Sequence, residues 1–145
     1  MNFVNPDDGE IRAILSQPTT VAVVGCSDDP ARDSLRIALL LKQKGFHVIP
    51  VNPQLKPDAL QNALGERCYP DLQSIPQPVE IVDVFRRPEH LPEIAAAAVK
   101  KGARVLWGQL GVVNQEAAEL AQRAGLTVVM DRCPAIEYRR LFRTA

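Results

Sequence analysis

Apolar positions in this chain follow two patterns that take turns along its length. Residues 21–24, 46–51, 80–85, 103–107 and 126–130 are short, nearly continuous apolar runs of strand length. Such runs suit strands buried on both faces. Between them the spacing becomes helical. Leu91, Ile94, Ala95, Ala98 and Val99 repeat at i, i+3, i+4, i+7 and i+8, one buried face of a helix closed by Gly102. Residues 32–44 read as a helix rich in Leu and Ala, stopped by Gly45. Asn114 is placed to cap a helix carrying Ala117, Ala118, Leu120 and Ala121, which Gly125 ends. A closing helix over 134–142 starts with Pro134, and a leading helix over 8–17 sets Ile11, Ile14 and Leu15 on one side. Residues 54–78 are irregular, interrupted by Pro57, Pro70, Pro76 and Pro78. They predict a loop with a short helix at 58–64 and a short edge strand at Cys68-Tyr69.

Strands alternating with helices of this length predict a parallel sheet covered on both sides. With right-handed crossovers the simplest order is 2-1-3-4-5. The fold class is therefore α/β, a Rossmann-like three-layer α/β/α arrangement with a parallel sheet of five or six strands. One domain over 1–145, with 1–18 as a leading helical segment, accounts for the whole length.

Charge narrows the partners. Seventeen basic and seventeen acidic side chains cancel, which disfavours nucleic acid and membrane surfaces and leaves room only for a local basic pocket. The N-terminus has neither a positive start nor an apolar stretch, so no secretory signal is expected. Three cysteines, Cys26, Cys68 and Cys133, are odd in number and far apart. They suit reduced thiols in a cytoplasmic protein better than a disulfide framework.

In open sheets of this kind ligands bind beyond the carboxyl ends of the strands, at the switch point beside the first strand. Two loops should meet there, Gly25-Cys26-Ser27 and Phe85-Arg86-Arg87. Gly25 permits a tight turn, and the helix that follows points free N–H groups and a positive dipole end at an anion. The Ser27 hydroxyl and an arginine would add contacts to phosphate oxygens. The plainer alternative is a tight strand-to-helix turn beside solvated arginines. A nicotinamide dinucleotide fits poorly: glycines are expected two and five residues after Gly25, where Ser27 and Pro30 stand. No Asp or Glu lies between Asp33 and Asp58 to take a ribose. A Walker phosphate loop is absent as well.

Five segments in order carry a resemblance across nearly the whole chain. They are Val24-Gly25-Cys26-Ser27-Asp28-Asp29-Pro30, Val48-Ile49-Pro50-Val51-Asn52-Pro53, Val82-Asp83-Val84-Phe85-Arg86-Arg87-Pro88, Leu106-Trp107-Gly108-Gln109-Leu110-Gly111-Val112 and Met130-Asp131-Arg132-Cys133-Pro134. Together they resemble the small stand-alone CoA-binding proteins. That fold is shared with CoA-binding domains of the succinyl-CoA synthetase α subunit and of NDP-forming acyl-CoA synthetases. The resemblance implies coenzyme A or an acyl-CoA as the ligand, a small molecule being the expected partner. It implies that Gly25, Cys26 and Ser27 hold the phosphates and that Pro30 shapes the turn. Asn52 and Pro53 would border the nucleotide, with Lys56 beside the 3′-phosphate. Phe85 and Arg86 would line the opposite wall, and Cys133-Pro134 would lie toward the pantetheine end. There, thiol–disulfide exchange between Cys133 and CoA is one outcome and an inert packed thiol the other. Family members often carry a small apolar residue where Cys26 stands.

Catalysis is not expected. The related ligases use a phosphohistidine on a further domain and a nucleotide-grasp partner, and the two histidines here, His47 and His90, fall elsewhere. No hydrolase elbow and no metal-ligand spacing occurs, while Asp28-Asp29 suits a helix cap. The expected function is a CoA-binding holder. Its alternatives are a subunit or minimal enzyme of acyl-CoA metabolism, or a nucleotide sensor of nicotinamide type.

Overall fold

The computed structural model describes residues 3–142. Five parallel strands form its sheet: β1 (Thr20–Val24), β2 (His47–Val51), β3 (Ile81–Val84), β4 (Val105–Gly108) and β5 (Thr127–Val129). They run in the order β2-β1-β3-β4-β5, as the alternation predicts. The helices are α1 (Asp8–Ser16), α2 (Asp33–Gln43), α3 (Gln61–Leu64), α4 (Leu91–Lys101), α5 (Gln115–Arg123) and α6 (Pro134–Leu141), with a 3-10 turn at Pro88–His90 ahead of α4. None is long and apolar enough to cross a membrane.

The continuous apolar runs divide between two cores because side chains alternate across a strand. Ala22, Val24, Val82, Val84, Leu106 and Val128 face α4 and α5, where Leu91, Ala95, Ala98, Ala117, Ala118 and Ala121 are buried. The alanines let those two helices lie close to the sheet and to each other. On the other face Val21, Val23, Ile81, Trp107 and Val129 pack with Ile11 and Leu15 of α1 and with Leu35, Ala38 and Leu41 of α2. Tyr138 and Leu141 of α6 close that layer.

Two expectations need adjusting. The sixth strand shrinks to one parallel bridge, Tyr69 to Val51. Tyr69 N donates to Pro50 O at 3.0 Å and Asn52 N to Tyr69 O at 2.9 Å. Pro70 follows without an N–H, so the ladder stops there. Helix α2 begins at Asp33 because Asp29 holds the chain in a turn first: its Oδ1 accepts from Ala31 N at 2.9 Å and its carbonyl from Arg32 N at 3.0 Å. The Asn114 cap is present, with Oδ1 accepting from Ala117 N at 2.9 Å.

Residues near each end of the described chain are tied to the body. The Asn5 side chain donates to Met130 O and accepts from Met130 N, each at 2.8 Å, imitating a pair of ladder bonds just beyond β5. Helices α1 and α6 are joined by Arg140, which bonds both carboxylate oxygens of Asp8 at 2.8 and 2.7 Å. The same guanidinium reaches the buried Glu137 at 2.8 Å, and Arg132 meets Glu137 from the other side at 3.0 Å.

Candidate functional site

The loops after β1 and β3 touch at the carboxyl edge of the sheet. Gly25 lies at φ +86°, and a Cβ there would sit 2.6 Å from the Phe85 carbonyl oxygen and 3.1 Å from Arg86 Cδ. Only glycine allows both the left-handed turn and this approach. Its N–H donates to Val51 O at 2.8 Å, and Phe85 N donates to Val24 O at 2.8 Å, so the ends of β2, β1 and β3 are held in step. Asn52 adds a clamp from the side. Its Nδ2 donates to Cys26 O at 2.9 Å, while its Oδ1 accepts from Gln54 N at 2.9 Å.

Within the turn the polar groups are partly committed. Ser27 N donates to Ser34 Oγ at 2.9 Å, and Ser27 Oγ accepts from Asp29 N at 3.0 Å. Among the described residues no acceptor takes the Ser27 hydroxyl proton. Cys26 turns its side chain into the core, fully buried. Burial foremost, and then the nearby Cys68, Asp83 and Asp28, pushes that thiol up to about 12. Cys26 therefore offers a ligand its backbone, not its sulfur. Pro30 is exposed in the turn ahead of α2.

A cleft opens on each side of this edge. Toward α4, one of about 380 Å³ is lined by Gly25, Pro53, Pro70, Leu72, Arg86 and Ile94, among others. Toward α2 and α6, one of about 450 Å³ is lined by Ile37, Leu40, Phe85, Gln109, Cys133 and Ile136, with Asp33, Arg36 and Arg139 at its polar margin. Phe85 and Arg86, consecutive in the chain, face opposite clefts. The edge thus brings together Gly25, Pro53 and Arg86 on one side and Phe85 with Cys133 on the other, with Cys26, Ser27 and Asn52 forming the ridge between. Lys56 is exposed beyond Asn52-Pro53 and lines neither cleft.

Several residues went unread in the sequence. Ser34, in the first turn of α2, is buried and braces the turn after β1; a helical serine among apolar neighbours was its only signal. Gly108 ends β4 where a Cβ would meet Val112 O at 2.6 Å. Asp83 is 1 % exposed and Gln109 6 %, and Gln109 Nε2 donates to Asp83 Oδ1 at 2.7 Å. Asp83 Oδ2 is buried without a partner among the described residues. Burial raises this carboxyl to about 7, the Gln109 hydrogen bond opposing the rise. An acid interrupting the apolar run 80–85 was the visible sign.

Comparison with known proteins agrees with this architecture. The chain is 40% identical over 129 residues to the uncharacterized protein YneT of Bacillus subtilis (strain 168), covering 89% of this chain and 92% of that one. It is 32% identical over 92 residues to acetate–CoA ligase [ADP-forming] II of Archaeoglobus fulgidus, covering 62% of this chain but 13% of the ligase. Among solved structures, a hypothetical protein from Pyrococcus horikoshii OT3 superimposes with TM-score 0.86 at 38% identity, covering 98% of this chain and 99% of that one. A Thermus thermophilus protein gives TM-score 0.87 at 35% identity, covering 94% of this chain and all of that one. The family model described as a CoA binding domain matches residues 19–139, so the chain belongs to the CoA-binding domain family.

Proposed function

We propose that this protein binds coenzyme A or an acyl-CoA across the carboxyl edge of its sheet and holds it without transforming it. The observation that carries this reading is the contact between the Gly25 turn and the Phe85-Arg86 loop, with a cleft on either side. An extended ligand can lie over such a ridge with one end in each cleft. The phosphates would rest on the backbone of Gly25, Cys26 and Ser27 at the approach to α2, with Pro30 shaping the turn and Arg86 supplying positive charge. The nucleotide would border Asn52 and Pro53, where the exposed Lys56 can swing to the 3′-phosphate. The pantetheine arm would pass Phe85 toward Cys133. A cytoplasmic setting suits both the ligand and three free thiols.

The test is direct. Protein purified without added ligand is denatured, and the released material is read at 260 nm and by mass spectrometry; CoA, dephospho-CoA and NAD are then titrated by calorimetry. CoA is expected to bind most tightly, and Lys56→Ala to weaken CoA more than dephospho-CoA. Equal weak binding of all three would overturn the proposal.

A further inference from the structure

The cleft that Cys133 lines has one polar side chain set deep in its wall, and that side chain is tied to a buried acid. Gln109 follows β4 and reaches back along the sheet to Asp83, which lies in register with Val23 and Trp107. Its Oε1 accepts no hydrogen bond among the described residues, yet it is not sealed from solvent as Asp83 Oδ2 is. Gln109 also lines the cleft, so its amide can show one end to Asp83 and the other to the cleft. An ionised carboxylate can only accept, so it requires the NH₂ end of Gln109. A protonated carboxyl can donate, and it tolerates the amide turned over, a change of donor for acceptor with almost no change of shape.

We propose that Asp83 and Gln109 form a proton-controlled polarity switch: ionised Asp83 makes Gln109 present a carbonyl acceptor to the cleft, and protonated Asp83 frees the amide to turn over and present an N–H donor. The proton is exchanged with solvent. Neither state is dominant by design. The ionised acid keeps its bond to Nε2 but strands a charged Oδ2, whereas the protonated acid sheds the charge and can donate to Oε1.

The surroundings leave the pair to itself. The small void beside Asp83 is walled by Ile14 and Leu15 of α1, Val21 of β1, Leu41 of α2, Phe46, Trp107 and Pro134, none of them charged. Among the described residues Cys26 is a titratable group whose charge couples with Asp83, and its thiol, pushed up to about 12, stays protonated across neutral pH. Around Gln109 the cleft carries Asp33 and Arg36 of α2, which pair with each other, Arg139 of α6, and Cys133. With burial as the main cause, the acid titrates at about 7, so both states are populated under ordinary conditions.

The consequence rests on the proposed ligand. A thioester carbonyl accepts and cannot donate, whereas a free thiol donates weakly. Protonated Asp83 should therefore favour an acyl-CoA, and ionised Asp83 free CoA. The ratio of the two affinities is the quantity to measure, because phosphate ionisation and the other cleft charges affect both ligands alike.

The first measurement needs no ligand. Carbon and nitrogen NMR of the wild-type protein should show the Asp83 carboxyl and the Gln109 side-chain amide changing with one common midpoint near neutral pH. A Gln109 amide that ignores Asp83 ionisation would overturn the switch. In the second, acetyl-CoA should gain on CoA by about threefold or more between pH ~8 and ~6, and the gain should vanish in Asp83→Asn and Gln109→Met. A flat ratio in the wild type, or one that still changes in Asp83→Asn, would also sink it. If neither ligand binds at any pH, the CoA reading falls, and the ligand-free titration still decides the switch.

Discussion

Gly25 is the residue on which the candidate site turns. Any side chain there must accept a left-handed φ and drive into the Phe85 carbonyl at once, so Gly25→Ala is expected to cost about 2–4 kcal/mol. Urea unfolding would show it as a lower midpoint, and CoA titration as lost affinity. Asp83 has a different signature. In the unfolded chain it titrates near 3.8 and in the native protein at about 7. The native state therefore holds the extra proton between those values, and stability falls as pH rises from about 4 to about 7, by up to about 4 kcal/mol. Asp83→Asn should flatten the profile over that window; parallel profiles for the two proteins would show that Asp83 is not its source. The three thiols also separate by residue. Cys26 and Cys68 are buried with thiols pushed upward, while Cys133 lies half-exposed in a cleft. A disulfide reagent on the native protein should react quickly with a single thiol, and Cys133→Ser should abolish that reaction. The meeting of the Gly25 turn with the Phe85-Arg86 loop was legible because a strand followed by a tight turn marks the carboxyl edge of a parallel sheet. Asp83 and Gln109 were not, since they lie 26 positions apart and only strand pairing brings them together.

Elements held to their own logic where burial dictated them. The order of the five strands was readable because parallel strands joined by the expected right-handed crossovers have few other arrangements. The segment between β2 and β3 was harder: prolines announce interruption but not what the chain does between them, and Tyr69 became a single bridge. Contacts between distant elements left almost no trace in sequence. Asn5 is one. Asn5→Ala removes two hydrogen bonds to Met130 and should lower stability by about 1–3 kcal/mol, with the Met130 amide losing hydrogen-exchange protection ahead of β3. The junction of α1 and α6 is another. Burial disfavours the Glu137 charge, but Arg140 and Arg132 outweigh it and hold the carboxyl below its ordinary value. Its stabilising effect is present above the unfolded value and is lost as pH falls through the folded one. Glu137→Gln should therefore be less stable than the wild type at neutral pH, with a smaller loss on acidification below about pH 4.5.

At the scale of the whole molecule, the carboxyl end of each outer strand is met by a group from the chain itself. Tyr69 occupies the carboxyl end of β2, and the Asn5 amide occupies the backbone just past β5. A sheet with bare outer strands is a template on which another copy can grow, one strand adding to the next. Here the guarded end of the sheet is the one where the two clefts open. The fastening at β5 is a single side chain, so it is also the weaker guard. At high concentration, Asn5→Ala should scatter light and bind amyloid dyes before the wild type does, with no change in its thiols or its net charge. The few residues ahead of α1 would then matter less as an anchor than as a stopper against polymerisation.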